Sequence, residues 1–323
     1  MTLHTSTSLA MRTSRLFRGA RLIALAFALT AAGGAGAETN QIRIAYPSGM
    51  NGQIVVTMEK AGIAKKVGLD ATFTPFQYGP PMMEALAAGS IDAVVTSVLP
   101  VAAYTSKLPG DVKIVSILGQ SSHSLVTAKD SPIKSAPDVS GRKLGVSFNS
   151  DSHLDTLIWL KEEKLEGKVS LVNIAPSELA AALSNASVDA VVIRQPQVFR
   201  LQQQTGARVV HTWPIKFVGI VKADYLARNP ETVGKYLTAL RDSIFYIGQN
   251  REQAAGWFGE ALRVPASVVS EVSKEDPNYD AKTVEDINVA VTPAERTAIE
   301  IRAAAAFENG LIRAKADTSR LFQ

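Results

Sequence analysis

The 323-residue chain contains no cysteine. That absence removes every thiol nucleophile, thiolate metal site and iron–sulfur cluster at once. It also leaves the fold to be held by its core, which a chain of this size is able to build. A long apolar run is missing too. The N-terminal stretch Leu22 to Ala32 falls well short of the roughly 20 residues that a membrane-spanning helix needs. An excess of one charge is also missing. The sequence holds 34 Lys+Arg and 30 Asp+Glu, and four of the cations (Arg12, Arg15, Arg18 and Arg21) precede the apolar stretch. Without those four, 30 basic residues face 30 acidic ones. Nothing in that balance supports a nucleic-acid partner or an anionic-membrane surface.

The basic cluster, the apolar stretch and the small-x-small tripeptide Ala35-Gly36-Ala37 read as a secretory signal peptide over residues 1–37, cut before Glu38. The competing reading is an uncleaved N-terminal anchor. There is no twin-arginine pair, and the lack of a cysteine after the apolar stretch excludes a lipid-anchored lipoprotein.

What the chain does have is a repeat. Residues 84–95, Glu-Ala-Leu-Ala-Ala-Gly-Ser-Ile-Asp-Ala-Val-Val, return loosened at 181–192 as Ala-Ala-Leu-Ser-Asn-Ala-Ser-Val-Asp-Ala-Val-Val. Each copy reads as a small-residue helix, a tight turn, an Asp and a buried strand. A short strand lies upstream of each, Ile42 to Ala45 and Lys143 to Val146. An offset of about 100 residues is too long for a solenoid, whose period is roughly 20–50 residues. It suits two similar α/β lobes facing each other, with a ligand cleft between them.

Further strands are expected at Ala71–Thr74, Lys113–Leu118, Ser124–Lys129 and Lys216–Val221. Strands alternating with helices imply a mostly parallel sheet covered on both faces. The segments at Ser124–Lys129 and Lys216–Val221 read as crossings, so the second lobe is an insertion in the first. The expected division is 38–126 plus 220–323 for the first lobe and 127–219 for the second. Two crossings make a natural hinge. From Pro230 onward the pattern is helical, with apolar residues at Val233, Tyr236, Leu237, Leu240, Ile244 and Phe245. Helices are also expected at Gln253–Leu262, Ala266–Val272 and Pro293–Asn309, forming a tail on the back of the first lobe.

Four segments, taken in order, carry a resemblance: Ala45-Tyr46-Pro47-Ser48-Gly49, the first repeat, Lys129-Asp130-Ser131-Pro132-Ile133-Lys134, and Asp138-Val139-Ser140-Gly141-Arg142-Lys143. Over residues 42–225 the chain resembles the periplasmic substrate-binding proteins of ABC importers, in particular the sulfonate, taurine and nitrate binders. The resemblance implies a two-lobed α/β fold of type II that closes on its ligand. It also implies a periplasmic monomer that uses no cofactor or metal and hands its ligand to an ABC importer permease. Carried onto this chain, the ligand contacts fall at Tyr46 and Ser48, Tyr78, Thr96 and Ser97, Gln120 and Ser121. From the second lobe come Ser147, Asn149, Ser150, Asp151, Ser152, Arg194 and Gln195. Many relatives carry Trp-Asp-Pro or Trp-Glu-Pro where this chain has Arg194-Gln195-Pro196. The exchange of an acid for a cation disfavours an aminated ligand such as taurine.

The residues themselves point the same way. Val146 to Ser152 runs from a strand into a helix whose N-terminus offers free N–H groups and partial positive charge, a ready anion site. A plain N-cap is the alternative. Arg194 follows the apolar strand Val191-Val192-Ile193. Its guanidinium either grips a carboxylate or sulfonate through parallel hydrogen bonds or pairs with a nearby acid at the surface. Trp213 and Tyr46 either sandwich an apolar ligand body or belong to the core. The expected ligand is therefore a small organic anion.

Enzyme readings are weaker. Gly145-Val146-Ser147-Phe148-Asn149 lacks the final glycine of a nucleophile elbow. Asp151-Ser152-His153-Leu154-Asp155 reads as a capped helix start rather than a metal site, and His123 and His211 are isolated. Enzymes that share the implied fold, a thiamine-pyrimidine synthase and an aromatic sulfinate desulfinase, use cysteine chemistry. A periplasmic enzyme on this scaffold and a sensor module presenting ligand to a membrane receptor are the competing functions.

Overall fold

The computed structural model describes residues 40–322. The expected signal peptide and its cleavage site lie outside the described residues. In chain order come β1 (Gln41–Pro47), α1 (Asn51–Lys60), α2 (Ile63–Lys66), β2 (Asp70–Phe76), α3 (Gly79–Ala87), β3 (Ala93–Ser97) and α4 (Val98–Thr105). A long strand, β4 (Val112–Thr127), leads to β5 (Lys143–Val146), α5 (Asp151–Glu162), β6 (Ser170–Asn173), α6 (Leu179–Ser184), β7 (Ala190–Arg194) and α7 (Gln197–Thr205). A second long strand, β8 (Arg208–Lys222), returns. It is followed by α8 (Ala223–Arg228), α9 (Pro230–Gln249), α10 (Arg251–Leu262), α11 (Ala266–Val272) and α12 (Pro293–Glu308).

The strands form one sheet in the order β2-β1-β3-β8-β4-β7-β5-β6. The order is a near-palindrome, because β2-β1-β3 on one side matches β6-β5-β7 on the other. Pairs within each triplet are parallel. The sheet as a whole is mixed rather than mostly parallel, since β3–β8, β4–β7 and β4–β8 are antiparallel. β3 flanks β8 at Phe217–Val221, and β7 flanks β4 at His123–Thr127. Between those flanks, Gln120–Ser122 pair with Pro214–Lys216 as a two-stranded ribbon that joins the two triplets.

The expected strands Lys113–Leu118 and Ser124–Lys129 are one continuous strand. Register shifts at Ile114/Ser116, Ile117/Gly119 and Leu125/Val126 bend it without ending its ladder. Gly119 has φ +110°, and a Cβ there would lie 2.0 Å from the Asp276 carboxylate. Only glycine fits that bend.

The repeat has a concrete physical basis. In the first copy Asp92 accepts the Arg43 backbone N–H (2.9 Å) and returns its own N–H to the Arg43 carbonyl (2.9 Å). In the second, Asp189 does the same to Lys143, at 2.8 and 2.9 Å. The aspartate thus locks the start of each central strand, β1 and β5. The preceding turn passes through the left-handed region at Gly89 (φ +72°) and at Ala186 (φ +58°).

Both faces of the sheet are covered, so its strands read as unbroken apolar runs. Leu125 and Val192 face the α5 side with Trp159 and Leu160, whereas Val126 and Val191 face α6 and α7 with Leu179 and Leu201. Around β1, the helices α1, α9, α10 and α11 bury one face through Ile54, Tyr236, Leu240, Phe258 and Val269. The C-terminal helix departs from the expected backing role. Ala303 and Ala306 of α12 pack with Leu99 and Ala102 of α4 and Leu154 of α5, closing the halves together at one side. No described helix is long and apolar enough to cross a membrane.

Ala186 is exposed and sits in a conformation that disfavours any Cβ, at roughly 1–2 kcal/mol. Ala186→Gly is expected to raise stability by about 0.5–1 kcal/mol, the remainder being offset by added freedom in the unfolded chain. The urea midpoint measures it.

Candidate ligand-binding site

A cavity of about 230 Å³ opens where the carboxyl ends of β1, β5 and β7 meet, the usual place for a ligand in an open α/β sheet. Ser48 and Gly49 follow β1, and Tyr78 precedes α3. Ser147 and Ser150 come from the β5–α5 turn and Ser152 from the first turn of α5, while Arg194 ends β7 and Gln195 follows it. Leu179, Val192, Ile193 and Leu262 supply an apolar wall. Arg194 is the one ionised side chain among the described lining residues. Across the mouth, the Ser177 hydroxyl reaches Gln77 Oε1 at 3.3 Å, linking the two halves.

Several lining hydroxyls are held by local bonds. Ser48 donates to the Gln77 carbonyl (2.8 Å) and Ser147 to the Ile174 carbonyl (2.8 Å). Ser150 donates to the Ser147 carbonyl (2.7 Å) and accepts from His153 N–H (3.4 Å), capping α5. These bonds fix where each oxygen sits.

The other expected contacts lie elsewhere. Tyr46 packs on the α1–α10 core, where burial raises its pKa. Thr96 is buried. Gln120 donates its N–H to Asp276 (3.1 Å), and Ser121 bonds Glu275 (3.3 Å). Asn149 (φ +60°) donates its N–H to His153 Nδ1 at 3.3 Å. Trp213 joins His123, His211 and Trp159 in an aromatic cluster, with centroids 4.5–5.8 Å from its own.

Asp151 and Ser97 belong to an ion cluster beneath the cavity that includes three residues absent from the sequence-based site, Asp155, Arg302 and His123. Asp151 is fully buried and accepts from the Ser97 hydroxyl (2.5 Å), Leu99 N–H (3.4 Å) and Arg302 Nε (2.8 Å). Arg302 of α12 grips Asp155 with two parallel bonds of 2.8 Å. His123 Nε2 lies 3.0 Å from Asp155. Burial would raise the Asp151 pKa, but Arg302 and then Arg194 hold it below the ordinary value. Asp155 is likewise held low, against burial, by His123 and Arg302.

Arg194 is the loosely held member of the cluster. Its Nη2 stands 3.7 Å from Asp151 and 3.5 Å from the Ser97 hydroxyl, and its side chain is 21% exposed. Burial lowers its pKa, with Asp151 pulling the other way. A guanidinium still keeps its proton. Because Arg302 satisfies both carboxylates at short range, Arg194 retains donors for the cavity. The sequence carried no sign of this, since Arg302 is 108 positions beyond Arg194 in an alanine-rich helix.

Two outcomes test this site. Arg302→Ala leaves two buried carboxylates short of a partner and is expected to cost about 3–5 kcal/mol, read as a lowered urea midpoint. His153 stacks on Phe148 (4.3 Å) at the positive end of α5, and burial pushes its pKa down to about 4. A folded value below the unfolded 6.5 makes its stabilising contribution complete above pH 6.5 and progressively lost as pH falls toward 4. Asp276, pushed up to about 6 by burial, acts in the opposite sense over that window. The melting temperature of the parent minus that of His153→Gln isolates the histidine, and this difference should shrink between pH 7 and 4.

Comparison with known proteins agrees with the fold. The chain is 26% identical to the taurine-binding periplasmic protein of Escherichia coli K12 over 215 residues, 64% of this chain and 66% of that one. It is 23% identical over 283 residues to a protein of the same strain named for aliphatic sulfonate binding, covering 85% and 86%. Its fold matches two crystal structures. One is the E. coli periplasmic sulphonate-binding protein SsuA (TM-score 0.74, 21% identity, covering 88% of this chain and 92% of that one). The other is the Xanthomonas axonopodis pv. citri alkanesulfonate-binding protein bound to MOPS (TM-score 0.76, 17% identity, 89% and 99%). The architecture is the two-lobed type II fold of periplasmic binding proteins. The NMT1/THI5-like family model matches residues 65–254, and the chain belongs to that family.

Proposed function

We propose that this protein is an exported solute receptor that captures a small organic anion, a sulfonate or carboxylate, and presents it to the permease of an ABC importer. The observation that carries this reading is the cavity lining: one guanidinium, an apolar wall and, among the described lining residues, no acidic side chain. An anionic head satisfies Arg194, and a short apolar body covers Leu179, Val192 and Ile193. A ligand bearing an ammonium group finds no carboxylate in that lining. The binding roles named for the sulfonate and taurine relatives support the solute-receptor reading. The N-terminal segment 1–37 supplies export to the periplasm, where the chain works as a monomer.

In this reading the lobes are 38–126 plus 220–323 and 127–219, and they close about the β4–β8 crossings. The two-stranded ribbon at Gln120–Ser122 and Pro214–Lys216 is the narrowest part of the sheet and supports a hinge. Calorimetry with ethanesulfonate tests the site. Arg194→Ala is expected to weaken binding more than tenfold, since truncating a buried charged partner costs about 2–5 kcal/mol. Arg194→Lys should recover part of the loss, because an ammonium cannot form the fork. Binding by Arg194→Ala at the parent's affinity would overturn the anion assignment. Small-angle scattering should show a smaller radius of gyration with saturating ethanesulfonate, and an unchanged radius would remove the hinge.

A further inference from the structure

Arg302 is not among the residues that line the cavity, but it shares a carboxylate with Arg194, which is. Asp151 Oδ1 accepts from Arg302 Nε at 2.8 Å, and Asp151 Oδ2 faces Arg194 Nη2 at 3.7 Å. A charge-assisted bond closes to about 2.7–2.9 Å, so Arg194 stops roughly 1 Å short of a full pair. Arg302 opposes that last step in two ways. It neutralises Asp151 from the opposite oxygen, and its own charge repels the Arg194 guanidinium. Two parallel bonds of 2.8 Å to Asp155 hold Arg302 in place. Burial lowers the His123 pKa, so the histidine adds no charge at neutral pH. Asp151 and Asp155 are thus balanced by Arg302 and Arg194 before any ligand arrives.

We propose that Arg302 is a positioning residue for ligand binding: seated on Asp151 and Asp155, it keeps the Arg194 guanidinium off Asp151 and available to an anionic head group in the cavity. Losing it would act twice. Arg194 would close the remaining gap to Asp151, and an incoming anion would meet a cluster of net negative charge. Both effects are strong where water is excluded. The same arrangement gives Asp151 a role opposite to the ligand contact expected from the sequence. It competes with the ligand for Arg194, and Arg302 decides that competition. The C-terminal helix α12 therefore belongs to the binding machinery without lining the cavity. Arg302 keeps its place because Ala303 and Ala306 of α12 pack with Leu99 and Leu154, so the seating of α12 sets the affinity of a site on the other side of Asp151.

The inference rests on the anion reading, and calorimetry with ethanesulfonate separates the two. Absence of binding by the parent chain would sink the anion reading and this proposal together. If the parent binds, Arg302→Gln is expected to weaken binding roughly tenfold or more. Adding Asp151→Asn to it should restore a large part of the loss, because the carboxylate that captures Arg194 is gone. An arginine with a purely structural role predicts the reverse, since a second substitution in the same buried cluster would leave affinity low. Arg302→Lys should keep more affinity than Arg302→Gln, because the opposing charge remains. Asp151→Asn alone should bind at least as tightly as the parent, and it decides the question if Arg302→Gln does not fold. Parent-like affinity in Arg302→Gln, no recovery in the double variant, or weaker binding by Asp151→Asn than by the parent would each overturn the proposal while leaving the anion reading in place.

Discussion

A carboxylate taken fully out of water must be paired, and in this protein that constraint falls on Asp151. It begins α5, beside the second strand triplet, yet its close partners come from the end of β3, from α4 and from α12. Asp155, one turn later, shares Arg302 with it. The cluster fixes α5 against α4 and α12 and so fixes the Ser147–Ser152 turn that lines the cavity. It also explains why Arg194 is left under-paired. Arg302 takes the short bonds, and Arg194 keeps a 3.7 Å contact and a view of the cavity.

A second tie crosses the fold at Glu275, in the short turn Ser273–Glu275. Its carboxylate accepts from Gln195 (2.8 Å) and from the Ser122 hydroxyl (2.9 Å). One group lines the cavity, and the other lies on the two-stranded ribbon. The neighbouring Asp276 accepts from Gln120 N–H on the same ribbon. The segment after α11 is thereby coupled to both the crossing strands and the residue beside Arg194. Movement of the ribbon would have to rearrange these bonds.

Much of the architecture was legible in the sequence because its periodicities are local. The repeat at 84–95 and 181–192 announced two matching units, and the aspartates in it do equivalent work at Arg43 and Lys143. The helical tail followed from apolar spacing after Pro230. The antiparallel pairing of the crossing strands was less legible. An apolar run buried on both faces reads alike in either direction, and a strand that bends at Gly119 reads as two. The site was legible only in part. Ser48 and Ser147 follow strand ends and Arg194 is one, and strand ends converge by topology. Tyr46 and Trp213 carry the same sequence signal as a ligand platform, yet tertiary packing places them in apolar and aromatic clusters.

The sequence by itself determined the alternation of strands and helices, the internal duplication, the absence of thiol chemistry and the position of Arg194 at the end of a buried strand. Each of these follows from spacing along the chain or from composition. Tertiary structure alone decided which polar groups are partnered. Arg302 meets Asp151 across 151 positions, Glu275 meets Gln195 across 80, and Asn51 is left without a partner behind Gly49. Such pairings depend on how helices far apart in sequence are brought together around one sheet, and no local pattern encodes the distance between them.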